Sequence, residues 1–130
     1  MDKLPIIGIS QGDVNGIGLE MILKTLSDPM VLDICTPVIY GSPKAAAFYR
    51  KNLELQNLNL NQITDASDAS AKKINIINTS DEDLKVDIAR ATPEAGKAAL
   101  SALQAMVEDA KNNKIDAMVT APINREAYAE

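Results

Sequence analysis

Along this 130-residue chain, apolar runs of strand length alternate with stretches whose apolar residues follow helical spacing. The runs that predict strands are PIIGI (5–9), PVIYG (37–41), KINIIN (73–78), IDAMVT (115–120) and, more weakly, LNLNQI (58–63). Helical spacing covers 17–26, 44–53 and 93–112, and REAYAE (125–130) begins another helix. Strands separated by helices of this length predict an α/β protein with a mostly parallel sheet and flanking helices.

Capping signals mark where the predicted helices begin. Ser42-Pro43 and Thr92-Pro93-Glu94 each place a hydroxyl residue before a proline, which is typical of a capped first turn. Asp28-Pro29 is predicted to break the first helix. The polar stretch TDASDASAKK (64–73) is predicted to be a surface loop, and DEDLKVDIAR (81–90) is ambiguous.

The first predicted strand runs into SQGDVNGIGLE (10–20), which holds three of the six glycines, Gly12, Gly16 and Gly18. The spacing is not the dinucleotide fingerprint, because Met21 stands where a third glycine is needed, and it is not a P-loop. The first N–H groups of the following helix could cradle an anion. Alternatively, Asp13 caps those N–H groups and the glycines serve a tight turn, in which Asn15 tolerates a positive φ. Both interpretations stay open.

A second chemically suggestive stretch, AMVTAPINREAY (117–128), follows the last predicted strand. Thr120 and Asn124 are short polar groups there, and Arg125 can pair with a phosphate or a carboxylate. The alternative is that Asn124 caps the next helix and Arg125 is solvated. Because ligands of open α/β sheets bind beyond the carboxyl ends of strands, the position of both stretches favours a binding role.

Composition excludes several functions. The net charge of −5 argues against a nucleic-acid surface, and no apolar run reaches the length of a membrane span. The N-terminus lacks a signal-peptide pattern, and a single cysteine, Cys35, predicts a reducing cytoplasm. Cys35 lies among apolar residues and is expected to be a buried small hydrophobe. With no histidine, only Asp and Glu could supply strong metal ligands, whereas a phosphorylated small substrate remains compatible.

Taken together, GD-x-x-GIG-x-E and, about a hundred residues later, TAPIN-[basic]-E-A resemble the PdxA family of 4-hydroxythreonine-4-phosphate dehydrogenases. The matching residues are Gly12, Asp13, Gly16, Ile17, Gly18, Glu20, Thr120, Ala121, Pro122, Ile123, Asn124, Glu126 and Ala127. The stretch ATPEAGKAAL (91–100) is also similar to the family. The sequence departs from the usual pattern at Val14-Asn15 (Pro-Ala), Leu19 (Pro) and Arg125 (Lys). Arginine keeps the charge but transfers protons poorly.

This resemblance implies a fold similar to isocitrate and isopropylmalate dehydrogenases, with two domains, a homodimer and an interdomain active site. It implies NAD-dependent oxidation of 4-phosphohydroxy-L-threonine and loss of CO2 to give 3-amino-2-oxopropyl phosphate, a step of pyridoxal phosphate biosynthesis. A divalent metal (Zn, Mg or Co) would polarise the hydroxyl and then the ketone. The family's metal-holding histidines have no counterpart here, so residues 1–130 are expected to be the N-terminal part of a longer enzyme, inactive alone.

The candidates for the substrate or cofactor cleft are Gly12, Asp13, Asn15, Gly16, Gly18, Thr120, Asn124 and Arg125, and no catalytic residue is assigned. Two other functions remain open. One is dehydrogenation of a four-carbon sugar-acid phosphate, such as threonate or erythronate 4-phosphate. The other is a non-catalytic phosphate-binding or dimerisation module.

Overall fold

Five parallel strands form one sheet in the computed structural model, which describes residues 4–13, 15–55, 58–80, 86 and 92–121. The strands are β1 (Ile6–Ser10), β2 (Thr36–Gly41), β3 (Leu60–Ile63), β4 (Ile74–Asn78) and β5 (Ala117–Thr120). The helices are α1 (Gly18–Leu26), α2 (Pro29–Ile34), α3 (Pro43–Asn52) and α4 (Pro93–Lys111), and a short 3₁₀ helix spans Ala66–Asp68. The strand order is β3-β4-β2-β1-β5, which confirms the predicted α/β class.

Helices cover both faces of the sheet, as parallel strands require. On one face, Ile39 packs with Leu23 of α1 and Tyr49 of α3. On the other face, Val38 and its neighbours pack against Met106 of α4. Successive strand residues point to opposite faces, so β2 is buried along its whole length, as its unbroken apolar pattern predicts.

The capping signals place the helix starts correctly. Ser42 Oγ accepts from Ala45 N at 3.0 Å, and Thr92 Oγ1 accepts from Ala95 N at 3.2 Å. In both helices proline occupies the first turn, where its missing N–H costs nothing.

The predicted break at Asp28-Pro29 is confirmed, because α1 ends at Leu26, and the same dipeptide also starts a new helix. Asp28 Oδ1 accepts from Met30 N at 3.0 Å, and Pro29 begins the short helix α2. The cap followed by a proline is the same signal that begins α3 at Ser42. The polar stretch 64–73 contains the 3₁₀ helix. Residues 81–90, except Val86, and the predicted helix at 125–130 lie outside the described residues.

None of the helices in the described part of the chain is long and apolar enough to cross a membrane.

Candidate functional site

The candidate site lies at the carboxyl edge of the sheet, where the strands end and three helices begin. In a parallel sheet each strand enters its helix at the same edge, so α1 and α3 begin beside the ends of β1 and β2. The amide of Asn15 donates from Nδ2 to Thr92 Oγ1 at 3.2 Å, which brings the start of α4 to the same edge. The glycine turn 10–18 therefore lies where ligands of α/β sheets bind.

A single glycine of this turn has the backbone that only glycine adopts easily. Among the described residues, Gly12 is the glycine with a positive φ, at 70°. At Gly16 an added Cβ would lie 3.4 Å from Asp13 Oδ2, which is ordinary contact. Gly18 is the first residue of α1. The cluster of three glycines thus reflects one conformational requirement, at Gly12, and not three.

Asp13 stabilises the turn itself. Its Oδ1 accepts from Asn15 N at 3.0 Å, and its carbonyl oxygen accepts from Gly16 N at 3.0 Å. Both Asp13 and Asn15 are buried. These bonds form an Asx turn of the kind that aspartate favours.

The helix α1 begins without a side-chain cap. Its N-cap residue is Ile17, which has no polar side-chain atom. Of the two interpretations left open by the sequence, the one that gives Asp13 a role in a tight turn is supported, but its carboxylate bonds to Asn15 N and does not cap α1. Among the described residues no side chain caps the first N–H groups of α1, and an anion is suited to that position.

The sequence candidates do not include two buried polar residues at this edge, Ser10 and Gln11. Gln11 Oε1 accepts from Ser42 N at 2.8 Å, which fixes the orientation of the amide. In the described part of the structure, Gln11 Nε2, Ser10 Oγ and Thr79 Oγ1 are buried without a hydrogen-bond partner. All three follow or end a strand at the carboxyl edge. A buried polar atom without a partner costs about 1–3 kcal/mol, which a bound polar ligand would offset. In the sequence, the signal for these residues is a polar residue directly after an apolar run that predicts a strand.

Thr120 joins this edge from the neighbouring strand. It is in register with Ser10, and Ala121 N donates to Ser10 O at 3.2 Å. The structure therefore brings six of the eight candidates to one edge of the sheet: Gly12, Asp13, Asn15, Gly16, Gly18 and Thr120. Asn124 and Arg125 lie outside the described residues.

Comparison with known proteins decides the family. The family model described as "Pyridoxal phosphate biosynthetic protein PdxA" matches residues 33–130. The chain belongs to the PdxA family. The match includes β2 to β5 and the second motif at 120–127, whereas the glycine turn at 10–20 lies outside the matched residues.

Members of the PdxA family are similar to this chain in sequence and in structure. A Bacteroides thetaiotaomicron protein named 4-hydroxythreonine-4-phosphate dehydrogenase is 50% identical over 119 residues, covering 92% of the chain and 32% of the relative. A Clostridium botulinum protein, provisionally named D-threonate 4-phosphate dehydrogenase, is 34% identical over 135 residues, covering 100% of the chain and 40% of the relative. The chain thus spans 32% to 40% of the length of these relatives.

Solved structures agree with the fold. The crystal structure of a 4-hydroxythreonine-4-phosphate dehydrogenase from Burkholderia phymatum superposes with a TM-score of 0.87 at 32% identity, covering 98% of this chain and 39% of that one. The Klebsiella pneumoniae enzyme of the same name gives a TM-score of 0.80 at 26% identity, covering 97% of this chain and 39% of that one. The five-stranded unit therefore corresponds to one part of the fold of these PdxA-family structures.

The contact between Asn15 and Thr92 gives a prediction for this PdxA-family chain. Replacing Thr92 by valine removes both the cap of α4 and the acceptor of Asn15, so we expect a loss of about 1 kcal/mol in unfolding free energy. Thr92→Ser keeps the hydroxyl and should lose much less. Denaturant unfolding of both variants measures the difference. Equal stability of the two variants would contradict the proposed role of the hydroxyl.

A polar cavity of about 490 Å³ lies on the α4 side of the sheet, near the end of β4. Tyr40 donates to Asp109 Oδ2 at 2.5 Å, and burial followed by this bond raises the pKa of the tyrosine. Lys114 pairs with Asp65 at 3.1 Å, and this pairing lowers the pKa of the aspartate. The tyrosine stays protonated at neutral pH, so these groups serve mainly to hold α4 against the sheet.

Cys35 is half-buried, where full burial was expected. It follows α2 at the margin of the domain, donates from Sγ to Val31 O at 3.5 Å, and lines an apolar cavity of about 320 Å³. Partial burial raises the pKa of its thiol. The structure supports the predicted unreactive cysteine, although part of its side chain is exposed to solvent.

The raised thiol pKa predicts slow alkylation. Because the thiolate is the nucleophile, iodoacetamide at pH 7.5 should modify Cys35 about tenfold more slowly in the native protein than in urea. Mass spectrometry of quenched samples measures both rates. Equal rates in the two conditions would contradict this prediction.

The described residues contain no group of three or more His, Cys, Asp or Glu side chains that could hold a metal ion. Since the whole sequence has no histidine, the donor set visible here does not fit the metal that the family resemblance implied.

Proposed function

We propose that the complete protein is an NAD-dependent 4-hydroxythreonine-4-phosphate dehydrogenase. It would oxidise the secondary alcohol of 4-phosphohydroxy-L-threonine and release CO2, giving 3-amino-2-oxopropyl phosphate for pyridoxal phosphate biosynthesis. Membership of the PdxA family and 50% identity to a dehydrogenase of that name support this proposal. Because the chain spans 32% of that relative, the activity is proposed for the complete enzyme and not for residues 1–130 alone.

One arrangement on the chain itself supports the proposal: N–H donors come together at the carboxyl edge of the sheet. The Gly12 backbone turns sharply there, and among the described residues α1 has no side-chain cap and Gln11 Nε2 has no hydrogen-bond acceptor. N–H groups of this kind bind phosphate oxygens. We propose that these groups bind a phosphate of the substrate or of NAD, and that Thr120, Asn124 and Arg125 line the opposite side of the cleft.

The proposal involves two cofactors, NAD and a divalent metal, which have different roles. NAD accepts the hydride, so the task of the protein is to orient the alcohol carbon against the nicotinamide. The described residues do not supply a metal site, and we propose that the divalent metal is held by residues outside this sequence. The chain contributes turn geometry and anion binding to the cleft.

The oligomeric state and the cellular location are also proposals. A homodimer is proposed because the family resemblance implies it. A cytoplasmic location is proposed because the sequence has a single cysteine and the proposed reaction uses a soluble dinucleotide.

A second candidate substrate is a four-carbon sugar-acid phosphate. Its support is the 34% identity to proteins provisionally named D-threonate 4-phosphate dehydrogenases, which match over the full length of the chain. The two substrates share the phosphate and the secondary alcohol, and they differ at the position of the amino group. In this proposal the carboxyl edge binds the phosphate that both substrates carry.

Steady-state kinetics of the complete enzyme tests the proposal. NADH formation is followed by its absorbance at about 340 nm. The substrates are 4-phosphohydroxy-L-threonine, D-threonate 4-phosphate and D-erythronate 4-phosphate, each with Mg²⁺, Zn²⁺ or Co²⁺. The proposal expects the highest kcat/KM for the amino-acid phosphate. A higher value for threonate phosphate would establish the second candidate. No NADH with any substrate would favour a non-catalytic phosphate-binding or dimerisation module.

A further inference from the structure

The start of α4 carries a hydroxyl group whose hydrogen-bonding capacity is only partly used. Thr92 Oγ1 accepts from Ala95 N at 3.2 Å and from Asn15 Nδ2 at 3.2 Å. A threonine hydroxyl has two acceptor lone pairs and one donor proton. Both lone pairs are therefore occupied, and in the described part of the structure no hydrogen bond is present in which this hydroxyl donates. The unused capacity of Thr92 is a donor.

This donor lies at the carboxyl edge of the sheet, beside the glycine turn. Its bond to Asn15 joins residues that are 77 positions apart in the sequence and so fixes Thr92 next to the turn. Asn15 is buried, whereas Thr92 is partly exposed. A ligand bound at this edge can therefore reach the Thr92 hydroxyl.

A second observation points to an anionic ligand at the same edge. Leu19 of α1, Ala45 of α3 and Ala95 of α4 belong to one buried cluster, so the first turns of three helices converge there. Helix N-termini attract anions. Gln11 is fully buried, its Oε1 accepts from Ser42 N, and among the described residues its Nε2 has no acceptor. Because an amide nitrogen only donates, the missing partner is an acceptor such as a phosphate oxygen.

We propose that the Thr92 hydroxyl donates to a phosphate oxygen bound at this edge, so that Thr92 binds the ligand as well as capping α4. This inference rests on the proposed function, which places a phosphate of the substrate or of NAD here. Asn15 is a positioning residue: its bond occupies a lone pair of Thr92 Oγ1 and leaves the hydroxyl proton for the ligand. A phosphate suits this edge because its several oxygens can accept from several donors at once.

The substitution Thr92→Asp separates the two roles of Thr92. The new carboxylate can still accept from Ala95 N and Asn15 Nδ2, and aspartate caps helices at least as well as threonine does. It has no proton to donate at neutral pH, and its charge repels phosphate. In the complete protein we expect the melting temperature to stay within about 2 °C. The Kd for inorganic phosphate, measured by isothermal titration calorimetry, should rise about tenfold or more. Thr92→Ser keeps the hydroxyl and should stay within about threefold.

The substitution Lys97→Gln is the matched control for charge. Lys97 is exposed near the start of α4, and its replacement lowers the net charge by one unit, as Thr92→Asp does. We expect the Kd for inorganic phosphate to rise by less than about threefold, because the charge of an exposed side chain is screened. Equal weakening in the two variants would overturn the proposal, since net charge would then explain the result. An unchanged Kd in Thr92→Asp would also overturn it.

Steady-state kinetics of the same variants identifies the source of the phosphate. A rise in the KM for 4-phosphohydroxy-L-threonine alone would support binding of the substrate phosphate, and a rise in the KM for NAD alone would support binding of its pyrophosphate. No change in either KM would overturn the proposal. The phosphate titration does not depend on turnover. An unmodified protein that forms no NADH with any substrate would therefore contradict the proposed function, while the titration still decides the role of Thr92.

A crystal structure of the unmodified complete protein with bound phosphate decides the question if Thr92→Asp does not yield folded protein. Thr92 Oγ1 should then lie about 2.5–3.0 Å from a phosphate oxygen. A bound phosphate whose nearest oxygen is more than about 4 Å from Thr92 Oγ1 would overturn the proposal.

Discussion

Replacing Gly41 by alanine is expected to destabilise the protein by about 1–3 kcal/mol, because the new methyl group has no space. An added Cβ at Gly41 would lie 2.5 Å from Gln11 Cδ and 2.9 Å from Gln11 Cβ. Gln11 is fully buried and its Oε1 is bonded to Ser42 N, so the side chain cannot move aside without losing that bond. The melting temperature should fall by several degrees, measured by calorimetry.

A double-mutant cycle distinguishes a clash with Gln11 from a general sensitivity of β2 to substitution at Gly41. Gln11→Gly removes the three atoms nearest to the new methyl group, so the double variant Gln11→Gly/Gly41→Ala should lose less stability than the sum of the two single variants. Strict additivity of the two changes would show that Gly41 is required for another reason. The cycle also measures how strongly the end of β1 is coupled to the start of α3.

The architecture of the sheet was predictable because each buried strand is a short apolar run. The run PVIYG forms β2, which is covered on both faces of the sheet, and the run KINIIN forms β4, in which one buried residue, Asn75, is polar. Asn75 is buried and donates to Pro37 O at 3.1 Å, which no local pattern reveals. The order of the strands was not predicted either, since β5 pairs with β1 across more than a hundred residues of sequence.

The location of the candidate site was predictable, but its inner residues were not. A glycine turn after a strand indicates the carboxyl edge of a parallel sheet, and Thr120 arrives there through the register of β5. Gln11 and Ser10 were missed because they look like strand termini, and the orientation of the Gln11 amide depends on its contacts with Ser42 and Gly41, which are distant in sequence. Gly8 and Gly41 were missed for the same reason: their need for glycine comes from neighbours distant in sequence, such as Ile115 and Gln11.

Gly12 has the other large expected effect, on the turn and on the activity of the complete enzyme. With φ at 70°, it adopts a left-handed conformation that costs an alanine about 1–2 kcal/mol. Relaxation of that strain would displace the Asx turn at Asp13, and with it the start of α1. Gly12→Ala should therefore lower both unfolding free energy and kcat/KM, the latter by about tenfold or more, since small displacements in a binding site have large kinetic effects.

Two controls make the Gly12 result specific. Gly12→Asn should recover part of the stability, because asparagine tolerates positive φ better than alanine does. Gly16→Ala should change unfolding free energy by less than about 0.5 kcal/mol, because its Cβ would meet Asp13 at ordinary contact distance and its φ is not positive. Stability and kcat/KM are measured on the same preparations. If Gly12→Ala is no more harmful than Gly16→Ala in either quantity, the turn does not depend on the conformation of Gly12. If stability falls while kcat/KM is unchanged, the turn is structural and the phosphate is bound elsewhere.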